Sequence, residues 1–155
     1  MALKIRDAGI LRTIKRMRFM DAGALRSIKT LKVMDNGTLR LVATFADALS
    51  AVVNPSRVTG TVTASSGAPS ASVPTGLANA VVTGGLAPFS YAWSLLSTDG
   101  ATPSITNPTS ASTRFTCTVP NNETVNASFR VTVTDSTGAT TTADCTAGFT
   151  YIDNA

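Results

Sequence analysis

Two kinds of charged side chain recur in this sequence at a constant spacing. Asp7, Asp21 and Asp35 stand fourteen residues apart, and so do Arg12, Arg26 and Arg40. A row of carboxylates is raw material for a calcium ladder, but each calcium ion takes roughly six to eight oxygen ligands. Each copy here offers one carboxylate beside Ala or Asn and Gly. Holding a turn is the better reading, because an Asp side chain bonds the backbone two residues on. The arginine row, with a second row from Lys4, Arg18 and Lys32, either meets acidic rows on neighbouring strands or chains and sets register, or faces outward toward a polyanion. No aromatic ladder interleaves with these cations, so single-stranded nucleic acid is a poor partner. No metal and no cofactor are expected.

Catalytic side chains are scarce. The sequence has no histidine and only two cysteines, Cys117 and Cys145, which removes zinc-finger spacing, Cys/His pairs and Ser/His/Asp triads together. The expectation is a protein that is not an enzyme. Both cysteines alternate with apolar residues, in Phe115, Cys117, Val119 and in Ala143, Cys145, Ala147, Phe149. Either a disulfide across a core or a reduced buried pair fits that placement.

The charged rows belong to a repeat written three times without a gap: LKIRDAGILRTIKR (3–16), MRFMDAGALRSIKT (17–30) and LKVMDNGTLRLVAT (31–44). Each copy contains Asp-Ala-Gly or Asp-Asn-Gly, where Gly9, Gly23 and Gly37 permit the positive φ of a tight hairpin turn. Three turns predict four strands, near Ala2–Arg6, Ile10–Met20, Ala24–Met34 and Thr38–Phe45. Leu3/Ile5, Met17/Phe19 and Leu31/Val33 alternate as half-buried strands do, whereas Leu11/Ile14, Leu25/Ile28 and Leu39/Val42 are three apart. That step predicts a bulge or corner in every copy, as in a stalk or prism; it also fits a helix, and the repeated Asp-x-Gly favours strands. So short a unit must bury its apolar face on copies of itself or on other chains. Asp7, Gly9, Arg12, Asp21, Gly23, Arg26, Asp35, Gly37 and Arg40 are therefore the candidate assembly residues.

Charge divides the chain. Up to Arg57 there are eleven Lys and Arg against four Asp, a net of +7; beyond it two Arg face four Asp and one Glu, a net of −3. A basic arm suits nucleic acid, an anionic membrane or an acidic protein, or is the solvated side of half-buried strands. No apolar run reaches the roughly eighteen residues of a membrane span. Charges from Lys4 onward leave no hydrophobic signal core, so synthesis in a cytoplasm is expected and the glycosylation patterns at Asn122 and Asn126 carry little weight.

Thr44–Val53 either completes a strand or forms a helical turn, and Asn54-Pro55-Ser56 marks a boundary between a repeat region (1–53) and a second domain (54–155). Beyond it, alternation predicts strands at Arg57–Ala64, Ala78–Thr83, Ser90–Leu96, Ser112–Val119, Ala127–Thr134 and Thr140–Thr150, the pattern of a small antiparallel β-sandwich. Its predicted core is Tyr91, Trp93, Phe115, Phe129, Val131, Val133 and Phe149. The fold class is then all-β, repeated hairpins followed by a sandwich.

Residues 84–93 (GGLAPFSYAW) and 129–139 (FRVTVTDSTGA) resemble the core Tyr-x-Trp strand and the late strand with its Asp-x-x-Gly turn in immunoglobulin-like (Ig-like) and PKD-like domains. The Trp-Asp-Phe-Gly-Asp-Gly box of PKD repeats is missing, since Trp93 is followed by Ser94-Leu95-Leu96. The repeats resemble segments of small tail and fibre-associated proteins of tailed bacteriophages. Together these resemblances imply a structural virion component, tail or tail-tip associated, that forms a homo-oligomer (a trimer is favoured) and contacts other virion proteins. The sandwich would be an accessory or adhesion module, with loops Ser97–Asn107 and Pro120–Thr124 touching host-surface sugar weakly. Capsid decoration is the alternative; a bacterial polysaccharide-binding Ig-like module and a nucleic-acid-binding arm are alternatives of other classes.

Overall fold

The chain is all-β, with no helix among the described residues. The structure, a computed structural model, describes the strand segments up to residue 44 and all of 46–155; side chains are described for Leu31, Lys32 and 46–155. The first strands are β1 (Leu3–Asp7), β2 (Ile10–Ile14), β3 (Met17–Asp21), β4 (Ala24–Ile28), β5 (Thr30–Asp35) and β6 (Thr38–Thr44). They are followed by β7 (Ser50–Asn54), β8 (Arg57–Ala64), β9 (Ser70–Pro74), β10 (Ala78–Thr83) and β11 (Ser90–Thr98). The last are β12 (Ser104–Ile105), β13 (Ser112–Thr113), β14 (Phe115–Pro120), β15 (Thr124–Thr134) and β16 (Thr140–Asp153). Contacts divide the chain into two units, Met1–Asp47 and Ala48–Ala155.

In the first unit the described pairing runs within each fourteen-residue copy, β1 with β2, β3 with β4 and β5 with β6, as three two-stranded sheets, except that Thr30 at the end of the second copy pairs with Thr44 of the third. Pairing ends at Asp7↔Ile10, Asp21↔Ala24 and Asp35↔Thr38, two residues apart from the next strand, so each Asp closes a hairpin. The four-strand meander is thereby corrected to six strands. Ile10–Ile14 and Met17–Asp21 lie in different sheets, as do Ala24–Ile28 and Thr30–Asp35. A bulge in every copy is also not found. Register is continuous in the first two hairpins and shifts only in the third, between Leu31 and Lys32. Leu11/Ile14 and Leu25/Ile28 each lie within one five-residue strand, which takes the three-residue step without a break in pairing. One register serves all three copies, pairing Ile5 with Arg12, Phe19 with Arg26 and Val33 with Arg40.

The second unit is built on a four-stranded sheet, β11-β15-β16-β8, accompanied by the three-stranded sheets β13-β10-β7 and β12-β14-β9. Its centre is β15, where Val125, Ala127, Phe129, Val131 and Val133 are buried and alternate with polar residues. This is the period of two that a strand with one buried face requires. Phe129 stacks on Phe115 of β14 at 3.6 Å between centroids, and Trp93 of β11 meets Phe115 edge-on at 5.9 Å. These rings join the sheets into one core with Val73, Val119, Ala147, Phe149 and Tyr151. The Trp93 indole donates Nε1–H to the Ser110 carbonyl at 2.8 Å, so its burial leaves no polar atom unpaired.

Two strands escape the sequence reading. Ser70–Pro74 pairs with β14, and Ser104–Ile105, inside a predicted loop, pairs with it on the other side. Both segments are short and rich in Ser, and their strand character comes from the partner. The segment before Asn54 becomes β7, paired with β10 from Asn79↔Asn54 to Thr83↔Ser50. The division between units falls before it, ahead of the expected break at Asn54-Pro55. Strand β8 crosses closely over β9: a Cβ on Gly60 would run into the Pro74 carbonyl oxygen, so only glycine fits there.

Candidate functional site

The outer face of the four-stranded sheet is a field of short polar side chains. Alternation turns Asn126, Ser128, Arg130 and Thr132 outward on β15, and Thr142, Asp144, Thr146 and Gly148 on β16. Register lays them in rows. Ser97, Ser128, Thr146 and Arg57 follow one another across β11, β15, β16 and β8, and Asn126, Gly148 and Thr59 form the row beside them. Neighbouring strands are about 4.8 Å apart, which sets the spacing of groups within a row. Two adjoining hollows open here, of about 330 Å³ and about 360 Å³, and share Ser97, Ser128 and Thr146 in their walls.

Asp99 organises the first hollow. Its backbone N–H donates to the Asn126 carbonyl at 3.0 Å. Asn126 returns its backbone N–H to Asp99 Oδ1 at 2.7 Å and its side-chain Nδ2–H to Oδ2 at 3.0 Å. These bonds, the Asn126 side-chain bond foremost, hold the Asp99 carboxyl below its ordinary pKa. They also orient the Asn126 amide with Oδ1 toward Arg57, whose Nη2 stands 3.5 Å away, at the long limit of a hydrogen bond. The loop carrying Asp99 packs closely on β15, since a Cβ on Gly100 would lie 2.9 Å from Val125 Cγ2.

Gly148 makes room for the cation. It sits in the interior of the longest strand, where glycine costs about 0.5–1 kcal/mol relative to alanine. A Cβ there would stand 3.0 Å from Arg57 Nη2 and 3.6 Å from Asn126 Oδ1. The guanidinium thus lies across the glycine, and among the described residues it has no partner besides Asn126.

On the second hollow, Arg130 grips Asp144 with two bonds, Nε to Oδ1 at 2.7 Å and Nη2 to Oδ2 at 2.8 Å. This pairing lowers the Asp144 pKa and raises that of Arg130. Both side chains are nearly half exposed, so solvent screens the pair and its main effect is to cancel charge. Leu96, displaced by the β-bulge between Leu95 and Ser97, adds an apolar side chain at the rim, 46% exposed.

The thiols are placed for packing. Cys117 and Cys145 are both free and buried. Burial pushes the Cys145 thiol up to about 11 and raises that of Cys117, so neither is a thiolate near neutral pH. Among the described residues no three His, Cys, Asp or Glu side chains converge as metal ligands, and no helix is long and apolar enough to cross a membrane.

Of the residues singled out in the sequence, Trp93, Phe115, Phe129, Val131, Val133 and Phe149 are buried and Tyr91 is half-buried against them. Gly9, Gly23 and Gly37 lie outside the described residues. Asp7, Arg12, Asp21, Arg26, Asp35 and Arg40 are described only as strand positions. Of the two loops, Ser97–Asn107 contributes Ser97, Thr98 and Asp99 to the first hollow and Pro120–Thr124 contributes nothing to either. Arg57, Asn126, Ser128, Thr146 and Gly148 were missed. A lone glycine in a long alternating strand is a sign of close approach, and it was the available signal. No protein family, no curated protein and no solved structure matches this chain.

Proposed function

We propose that the chain is a non-enzymatic structural component of a tailed-bacteriophage virion, tail or tail-tip associated. In this reading the first unit assembles with copies of itself, a trimer being favoured, and the second is an Ig-like sandwich displayed as an accessory or adhesion module. The carrying observation is that, among the described residues, each fourteen-residue copy forms its own two-stranded hairpin. An isolated two-stranded hairpin is marginal in water, and three in tandem, each with the same apolar-opposite-arginine register, are units made to be packed against something. The sandwich reading is supported by the single core shared among the sheets, by Trp93 within it, and by the closing strand β16 lying parallel to β8 and antiparallel to β15. The place on a virion rests on the resemblance of the repeats, and head decoration is the neighbouring possibility.

A non-enzymatic role is supported by the lack of histidine and by two thiols that burial keeps protonated. The polar hollows favour a second reading of another class, a bacterial polysaccharide-binding module. Light scattering of the whole chain over a range of concentrations tests assembly. The expected result is a discrete oligomer; a monomer at every concentration refutes the assembling role.

A further inference from the structure

We propose that the shelf around Gly148 on the outer face of β11-β15-β16-β8 is a saccharide site for a neutral hexose unit of a surface polysaccharide. The site deepens the adhesion reading and rests on it only for the source of the sugar.

Charge selects the ligand class. Arg57 and Asp99 bring one charge of each sign to the first hollow, and Arg130 and Asp144 cancel each other beside the second. An anion approaching Arg57 meets Asp99, and a cation approaching Asp99 meets Arg57, so a neutral hydroxyl-rich molecule is the best match. The walls carry the complementary groups. Ser97, Ser128 and Thr146 present hydroxyls with no protein partner among the described residues, and each both donates and accepts. Arg57 keeps guanidinium donors uncommitted, and the Asp99 oxygens retain acceptor capacity beyond the Asn126 bonds.

The arrangement is held ready before any ligand arrives. Asp99 fixes the Asn126 amide, Asn126 faces Arg57, and Gly148 leaves the space in which the guanidinium lies. The ordering cost of the Asn126 amide is thus met in advance, which is one way polar sites gain affinity. Each hollow falls within the range of small-molecule sites, roughly 300–1,000 Å³. Leu96 offers an apolar edge for the C–H face of a sugar ring. With no aromatic platform, a single site binds weakly, and several copies in one oligomer multiply the effect through effective concentration.

The test is NMR of the isotope-labelled full chain, titrated separately with methyl glucoside, methyl mannoside and methyl galactoside, and with glucuronate and inorganic phosphate as anionic controls. The expected result is saturable shifts for at least one neutral glycoside at the amides of Ser97, Asn126, Ser128, Thr146 and Gly148. Arg57→Ala should weaken binding tenfold or more, and Gly148→Ala severalfold, with the remaining spectrum unchanged. The proposal is overturned if no glycoside moves those amides, if Arg57→Ala binds like the parent, or if either anion binds more tightly than every sugar. Light scattering on the same samples separates the two readings. A monomer that binds the glycoside keeps the site and removes the assembly, whereas an oligomer that binds none removes the site alone.

Discussion

The two units solve the same problem, covering one face of a β-strand, at opposite ranges along the chain. In the first, partners such as Leu3 and Ile14 lie within one repeat. In the second, Arg57 pairs beside Thr146, and Phe115 stacks on Phe129 from another sheet. Local pairing closes small loops at little entropic cost and encloses little apolar area; distant pairing pays more in closure and returns a shared core. The second unit therefore carries its own core, whereas the first is proposed above to pack against copies of itself.

That contrast breaks most directly at the aromatic stack. Replacing Phe129, fully buried against Phe115, by alanine should cost about 3–5 kcal/mol, the range for deleting a core phenylalanine. The reading is the denaturant midpoint of the unfolding transition. A loss below about 1 kcal/mol, the scale of a surface change, would mean that the second unit does not stand on this core.

Asp135 should follow. It is 7% exposed and accepts from Thr137 N at 2.8 Å, Thr137 Oγ1 at 2.6 Å and Ala139 N at 3.1 Å through Oδ1, and from Leu86 N at 3.1 Å through Oδ2. One carboxylate thus closes the β15–β16 turn and ties it to the segment before β11. Asp135→Ala should destabilise the second unit by less than the loss of Phe129, because Thr137, Ala139 and Leu86 lose a shared acceptor and can turn to water instead, measured as a fall in the unfolding midpoint. An unchanged midpoint would show that this turn holds without its side chain.

Alkaline titration sharpens the contrast further. Burial raises the Cys145 thiol from 9.0 to about 11, so the folded chain retains a proton that the unfolded chain releases. Its contribution to stability is complete below pH 9.0 and is lost as pH climbs through about 11. Cys145→Ala should flatten that decline in a pH series of melting curves. An identical decline in the variant would assign the loss to other groups.

The smallest effect belongs to the shelf. Since hydrogen bonds from Asn126 lower the Asp99 pKa, the Asn126 side-chain amide signals should stay at their neutral-pH positions through the ordinary carboxylate range. They should move only at lower pH, as Asp99 protonates and the bonds are lost. Movement of those signals at the usual carboxylate pKa would show that the Asp99–Asn126 bonds are not made in solution.

Much of this was legible from local pattern. The Asp-x-Gly steps mark where each hairpin closes, since Asp7, Asp21 and Asp35 end their strands. The alternation of Val125 through Val133 with polar residues reads directly as β15 and its buried side. Arg57–Ala64, with Thr59, Thr61 and Thr63 in a period of two, matches strand β8, and Ala78–Thr83, with Ala78 and Ala80 buried, matches β10. Ser70–Pro74 and Ser104–Ile105 were not legible because nothing within them favours a strand until β14 lies alongside. The long inner strands drawn through Ile14 and Met17 failed because Ile14-Lys15-Arg16-Met17 holds no Gly, Pro, Asn or Asp to mark the junction where pairing ends.

The sequence by itself determined the class of structure: an all-β chain, three hairpin-forming copies, a strand-rich second part and the aromatic residues of its core. These are matters of side-chain periodicity and turn chemistry, which act over a few residues. Only the tertiary structure decided that β8 lies beside β16, and so only it brought Arg57, Asp99, Asn126 and Gly148 to one place. Residues from three strands and the loop after β11 meet there because burying Phe129 and its neighbours fixes which strands adjoin, and that choice is made by the core as a whole rather than by any segment of it.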